Sequence, residues 1–572
     1  MVFLWIVLGV LLGRALSLVV YRMCWRHGET MPDSACSALI PFVRSPWPWL
    51  LHIVVITAMS SLSWEILSSL RWVATILTGV LAVGAVGRCG VSVKGKFFLI
   101  DRVLIIAMAV SVAYTPAMIY PALVACCALQ YTVASWRLGP GYSNLLGYEF
   151  VRASLCVLVA GMSICGIAIW AGHGDGIGDH WVIVAVILYQ ASTYVNHAMA
   201  KSALGPRWHS WITENRIECL AANAWLRGWT LGVSREQMEL RCQWIARHRR
   251  WFCSAVWLME FSWCLVWFDA RFALTVLAVT TVFHVIVFLS TGLCAYQYVV
   301  NHLMWIGLIL LGHASSFFSR ENLIPFILMI PLTAAWVGWV RASMFASYQR
   351  HGHAGRWNGF ADAADHLMAW WDTPWMRMFS YTVETKSGKR HALPVPKFSP
   401  YDTFLTDIHT HMMILGQHAE LDALVQQDRD FARTGVWGLT VHREDRDMLY
   451  RLMDASDGTE IYRSNESTSA WSIQQGEDHA AAPLADWMAA CNQNISRPWF
   501  RWLMRWPHFP GEDLVPDLCP LVTEKWTSFR FDEEVASVTL WRVKTFLHSK
   551  GMCMMAHEEM GRILMDVRSK NV

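Results

Sequence analysis

Charge is what this chain has least of. Asp, Glu, Lys and Arg make up 16% of its 572 residues, well below the roughly one quarter usual in soluble domains. The net charge is only +3, and no basic stripe interleaved with aromatics runs through the polar part, which excludes nucleic acid as a partner. The 15 cysteines are scattered without CxxC spacing, so neither a zinc ribbon nor a disulfide framework is signalled. Three of them, Cys491, Cys519 and Cys553, stand in the polar C-terminal part, an odd number that suits a reducing compartment. HExxH spacing and clustered histidine boxes are missing, as are repeats of 20 to 50 residues and low-complexity tracts. The N-terminal apolar run has no basic start, and Arg22 and Arg26 follow it in place of a small-residue cleavage site. It reads as a retained signal anchor.

What is abundant is apolar surface: 55% of residues are hydrophobic and 33 are tryptophan. Runs long enough for about 30 Å of hydrocarbon fall near 3–20, 49–69, 72–88, 100–115, 117–136, 148–171, 180–200, 250–268, 272–293, 296–313 and 322–345. The predicted fold is mostly α, a polytopic transmembrane bundle of about eleven spans, with a C-terminal cytoplasmic α+β domain. Its parts are N-terminal transmembrane helices over 1–147, a transmembrane core over 148–345 with an interfacial helix at 207–228, and a soluble domain over 346–572. Alternate loops carrying Arg44, Lys94, Lys96, Arg137 and Arg207 to Arg250 place the polar tail in the cytoplasm by the positive-inside rule, in a bacterial inner membrane. Within the tail, Met378 to Glu384, a turn, and Lys389 to Val395 read as a hairpin. Ser399-Pro400 opens a helix toward Ala432, and Val538 to Leu547 reads as a strand.

Two ionisable residues stand inside the apolar runs, Glu260 in LMEFSW and His284 in TVFHVIVFLS. A carboxylate or imidazole at mid-bilayer is costly unless partnered, which makes each a candidate site residue. Only Phe268 to Arg271 separate the two runs, and counting from that turn puts Glu260 roughly 15 Å and His284 roughly 20 Å deep. They are expected to meet in one ligand-sized cavity, the acid orienting the imidazole as a general base or proton relay requires. The bland alternative is a polar pair that only ties helices together, at about 1 kcal/mol. Tyr194, His197 and Lys201 recur at i, i+3 and i+7, with Asn196 beside them. Lys201 is open to two readings, a desolvated base or a residue snorkelling to the headgroups. The candidate catalytic set is Glu260, His284, Lys201 and His197, and the candidate substrate-binding set is Tyr194, Asn196, Asn301 and His302. No metal is expected. His302 and His313 lack a second histidine pair at matching depth for haem, and His409, His411 and His418 are not spaced to share an ion.

From about Tyr189 to Leu311 the order of features resembles the vitamin K-dependent gamma-carboxylases and their bacterial HTTM relatives. The motifs are YQASTYVNHAMAKSALGPRWHSWI, an amphipathic segment, LMEFSW, TVFHVIVFLSTG and CAYQYVVNHLMWIGLILL. The resemblance implies an enzyme that couples oxidation of a reduced quinone by O2 to making a strong base, which then removes an unreactive proton. By it Lys201 matches the family's lysine base, and Glu260 and His284 its buried polar residues. The implied cofactors are a reduced quinone and O2, and the implied partners are the lipid bilayer and a hydrophobic small molecule or peptide. Additional apolar runs before residue 148 and a cytoplasmic tail depart from the animal carboxylases, so base-promoted or oxidative tailoring, rather than peptide glutamate carboxylation, is the expectation. The alternatives are a proton-coupled transporter and a membrane scaffold acting through its tail.

Overall fold

A computed structural model describes residues 68–87, 99–114, 148–171, 178–226, 230, 233–291, 296–333, 371–393, 439–440, 443–454, 488–489, 491–505 and 527–565. Helices dominate the first part: α1 (Ser68–Gly87), α2 (Leu99–Tyr114), α3 (Tyr148–Trp170) and α4 (Asp179–Ala203). Every residue of α4 from Val182 to Leu188 is at most 2% exposed. A helix apolar on all sides is a core helix, and both α1 and α3 pack against α4, while α2 packs on α1.

After α4 come two short helices, α5 (Ser210–Glu214) and α6 (Glu218–Leu226), then α7 (Arg235–Phe261). A capping box starts α7: the Ser234 hydroxyl accepts from the Gln237 amide, and the Gln237 side chain accepts from the Ser234 amide. Its first half is charged and its second apolar. It tightens into a 3-10 stretch, Ser262–Trp267, and turns where the Asp269 carboxylate accepts from the Arg271 amide at 2.8 Å. Helices α8 (Ala270–Thr291) and α9 (Tyr296–Leu310) follow.

This architecture corrects the expected eleven-span bundle. Among the described residues, two helices are long and apolar enough to cross a membrane, His180–Ala203 and Ala270–Ser290. An apolar run is not yet a span, because a span also needs an unbroken helix. The run at 296–313 yields a 15-residue helix, about 22 Å long by helical rise, which stops before Gly312 at φ 77°. The run at 250–268 is the apolar end of α7, broken by its 3-10 turn. The two qualifying helices differ: 83% of the apolar window of α4 is buried, against 22% of that of α8. The expected runs at 3–20 and 117–136, most of that at 49–69, and the expected helix toward Ala432 with its three histidines lie outside the described residues.

In the tail, a five-stranded sheet has the order β5-β3-β2-β6-β7, from β2 (Trp375–Thr385), β3 (Arg390–Ala392), β5 (Thr527–Ser528), β6 (Val535–His548) and β7 (Gly551–Leu564). Strands β1 (Trp371–Asp372) and β4 (Leu439–Thr440) pair separately, and helices α10 (Arg443–Asp454) and α11 (Pro498–Arg505) accompany them. The tail docks on α5 and α6. One shared core joins Cys219, Trp225, Met238 and Cys242 to Leu449, Met453, Phe546 and Met552. The single interfacial helix expected at 207–228 is therefore two helices broken at Asn215, which is extended. Its amide donates to the Asp372 carboxylate at 2.8 Å and accepts from the Asp372 backbone at 2.8 Å.

Candidate functional site

Two buried polar groups stand on one face of α4, two helical turns apart. At the first, the Lys201 ammonium donates to both carboxylate oxygens of Glu260, at 2.6 and 2.8 Å. Both side chains are 10% exposed, and the Trp211 ring lies 5.4 Å from the Lys201 nitrogen. The Trp257 indole fixes α7 to α4 beside the pair, donating to the Ala198 carbonyl at 3.1 Å and the Ser202 hydroxyl at 2.8 Å. Lys201 does not snorkel: it points inward and is held.

At the second, the Tyr194 hydroxyl lies between two imidazoles, 2.9 Å from Nε2 of His284 and 3.1 Å from Nε2 of His302. Trp263 stacks on the Tyr194 ring, centroids 4.5 Å apart and planes within 4°. Tyr298 stacks on His284 at 4.9 Å. His302 is fully buried, and its Nδ1 has no hydrogen-bond partner among the described residues. His284 is half-buried on α8, whose outer face, with Val282, Val285 and Ile286, is apolar and exposed. His197 lies between the two groups along α4, its ring 6.5 Å from that of Tyr194.

The expected meeting of Glu260 with His284 does not form. Lys201 takes the carboxylate and Tyr194 takes the imidazole. The Trp257 indole, bonded to Ala198 and Ser202, sets its stretch of α7 beside the Lys201 end of α4, so that Glu260, one turn on, meets the ammonium. Two other expected site residues turn elsewhere. The Asn196 amide donates to the Ile330 carbonyl at 3.0 Å. Asn301 exchanges two 3.0 Å hydrogen bonds with Gln190, whose Oε1 also accepts from Trp305 at 2.8 Å. That knot ties α9 to α4 and is separate from the Tyr194 group. Trp263, Tyr298 and Trp211 were not among the expected site residues, although Trp263 is one turn beyond Glu260 and Tyr298 is four residues before His302, on its face.

Toward the tail, Glu218 is buried with its carboxylate 3.6 Å from Arg249 and its Oε2 without a hydrogen bond among the described residues. Burial pushes this carboxyl above its ordinary range, while its own backbone and Arg249 pull it back. The neighbouring Cys242 thiol is pushed up to about 12, by burial first and by Glu218 next, so it is inert as a nucleophile at neutral pH.

No known protein family, curated protein or solved structure gives a significant match to this chain.

Proposed function

We propose that the chain is an integral membrane enzyme that carries out base-promoted or oxidative chemistry on an apolar small molecule or peptide reached from the lipid phase. It spans the membrane more than once, with its tail on the cytoplasmic side. Val279, Val282, Val285, Ile286 and Leu289 leave the outer face of α8 apolar and exposed, a stripe that calls for lipid rather than water. Arg247, Arg249 and Arg250 cluster where α7 changes from charged to apolar, which favours a cytoplasmic position for that end.

The observation that carries the reading is the Tyr194 hydroxyl held between two imidazoles. With no partner for His302 Nδ1 among the described residues, the less costly tautomer of His302 carries its proton on Nε2 and leaves only a lone pair unmet. His302 then donates to the Tyr194 oxygen, and the Tyr194 hydroxyl donates to Nε2 of His284. The result is a directed proton path from the core to the half-buried imidazole at the apolar face. Two turns away, moving one proton along the 2.6 Å Lys201 to Glu260 hydrogen bond leaves a neutral amine and a neutral acid. That supplies a base without an isolated buried charge.

The donor set fits the reduced quinone that the carboxylase resemblance implies. In this tautomer His284 keeps its proton on Nδ1, a donor suited to a quinone oxygen, beside the aromatic face of Tyr298. A bound reduced quinone would supply electrons to O2, while the chain's own residues hold and move protons at Tyr194, His284 and Lys201.

The test is oxygen uptake by the purified full chain with a short-chain quinol. Tyr194→Phe keeps the ring on Trp263 and removes only the hydroxyl. Both it and Lys201→Ala are expected to lower kcat by about 100-fold or more, the scale of a lost acid or base. Wild-type protein that takes up no oxygen with quinol, or variants as fast as wild type, would overturn the reading. Proton flux into vesicles without oxygen uptake would replace it with the proton-coupled carrier.

A further inference from the structure

A second site lies at the junction of α5, α7 and α10, where a cleft of about 560 Å³ is open at the surface. Arg216, Arg247, Arg249 and Arg250 line it, with His248 among them. Two of these guanidinium groups are already held in place. Arg216 forks onto the Asp454 carboxylate, one arm at 2.7 Å, and stacks 4.6 Å from the Tyr450 ring. Arg249 is tethered to the buried Glu218. The acidic residue in the lining, Glu214, has its carboxylate engaged by Arg446 at 2.5 Å. Arg247 and Arg250 are exposed and have no ion-pair partner among the described residues. They stand one helical turn apart, where like charges repel unless an anion lies between them.

We infer that this cleft binds a phosphate group. Several planar guanidinium forks around one concavity match a tetrahedral, multiply charged oxyanion better than a single carboxylate. The cleft also sits where α7 passes from RHRR to the apolar WFCSAVWLMEF. Trp251 is 79% exposed and Trp244 55%, the interfacial placement tryptophan favours. At that level the phosphate comes either from an anionic lipid headgroup or from a free phosphorylated ligand. The headgroup source rests on the membrane reading above; the phosphate chemistry does not.

The experiment uses the full chain in neutral detergent, titrated with inorganic phosphate and followed by thermal shift. In a second arm it is mixed with phosphatidylcholine vesicles with and without phosphatidic acid. Arg247→Gln/Arg250→Gln is expected to weaken binding at least tenfold while leaving the unfolding temperature without phosphate unchanged. Arg241→Gln, on the same helix but outside the cleft, is expected to have no effect, while Lys201→Ala is expected to lower the unfolding temperature without changing the phosphate concentration that shifts it. A response in both arms, or in either alone, supports the cleft and identifies the source as headgroup or free phosphate. No response in either arm, or equal losses in the Arg241 and Arg247/Arg250 variants, overturns it. Loss of quinol oxidation in the Lys201 variant with phosphate binding intact would separate the two sites.

Discussion

The Lys201–Glu260 pair is a weak source of stability and a strong constraint. Taking two charges out of water costs nearly what their attraction returns, but removing one partner strands the other, typically at 3 to 5 kcal/mol. Lys201→Met alone is therefore expected to destabilise the chain by about 3 kcal/mol. Lys201→Met/Glu260→Leu should recover most of that loss in chemical unfolding in mixed micelles. Strictly additive losses would show that the two side chains do not depend on each other. Glu260, His284, Lys201 and Tyr194 could be picked out in the sequence as polar residues in apolar runs, whereas Asn196 and Asn301, picked out the same way, turn elsewhere. The partnerships could not be picked out. Residue counting along one run does not say how α7 lies against α4, and spacing along α4 could not reveal that a phenol from that helix would take the imidazole.

At the scale of elements, the break at Asn215 joins the helices to the tail. Its side chain ties the break to β1, donating to the Asp372 carboxylate and accepting from the Asp372 amide. The Tyr450 hydroxyl donates to the Asp372 carbonyl at 2.8 Å and accepts from the Arg216 amide at 3.1 Å. Asn215→Ala removes two of these bonds, one of them to a charged group, and is expected to cost about 2 to 4 kcal/mol. Limited trypsin digestion should then cut the tail faster than in wild type; identical cleavage rates would mean that the shared apolar core alone holds the junction. Hydrophobic periodicity at 207–228 suggested one helix because it records which residues are buried, not that a distant side chain, Tyr450, will satisfy the Arg216 amide. The β2–β3 hairpin and β6 were readable from β-branched and aromatic residues and from Gly388 in the turn, at φ 81°. Strand β7, GMCMMAHEEMGRIL, was not, since methionine and glutamate favour helices. Pairing along β6 from His548↔Gly551 to Ser537↔Leu564 makes it a strand.

At the scale of the molecule, hydropathy overstated the spans among the described residues at 250–268 and 296–313, because it counts apolar residues without asking whether one long helix holds them. The same measure could not separate α4 from α8, which pass the same length and composition test with opposite surroundings. Burial separates them, and it gives α8 a consequence that water and lipid do not share. Val282 lies at the middle of α8 and is 56% exposed. If its face met water, Val282→Lys would change stability by no more than about 0.5 kcal/mol, as surface substitutions usually do. In the centre of a bilayer the same lysine costs about 2.5 to 3.5 kcal/mol. Leu240, 65% exposed on the charged half of α7, serves as the control. Val282→Lys is expected to reduce the protein retained in carbonate-washed membranes and its thermal stability in nanodiscs, while Leu240→Lys leaves both unchanged. Equal tolerance of the two lysines would mean that the open face of α8 is covered by something other than lipid, and a proton path ending at His284 would then have no apolar phase from which to receive its substrate.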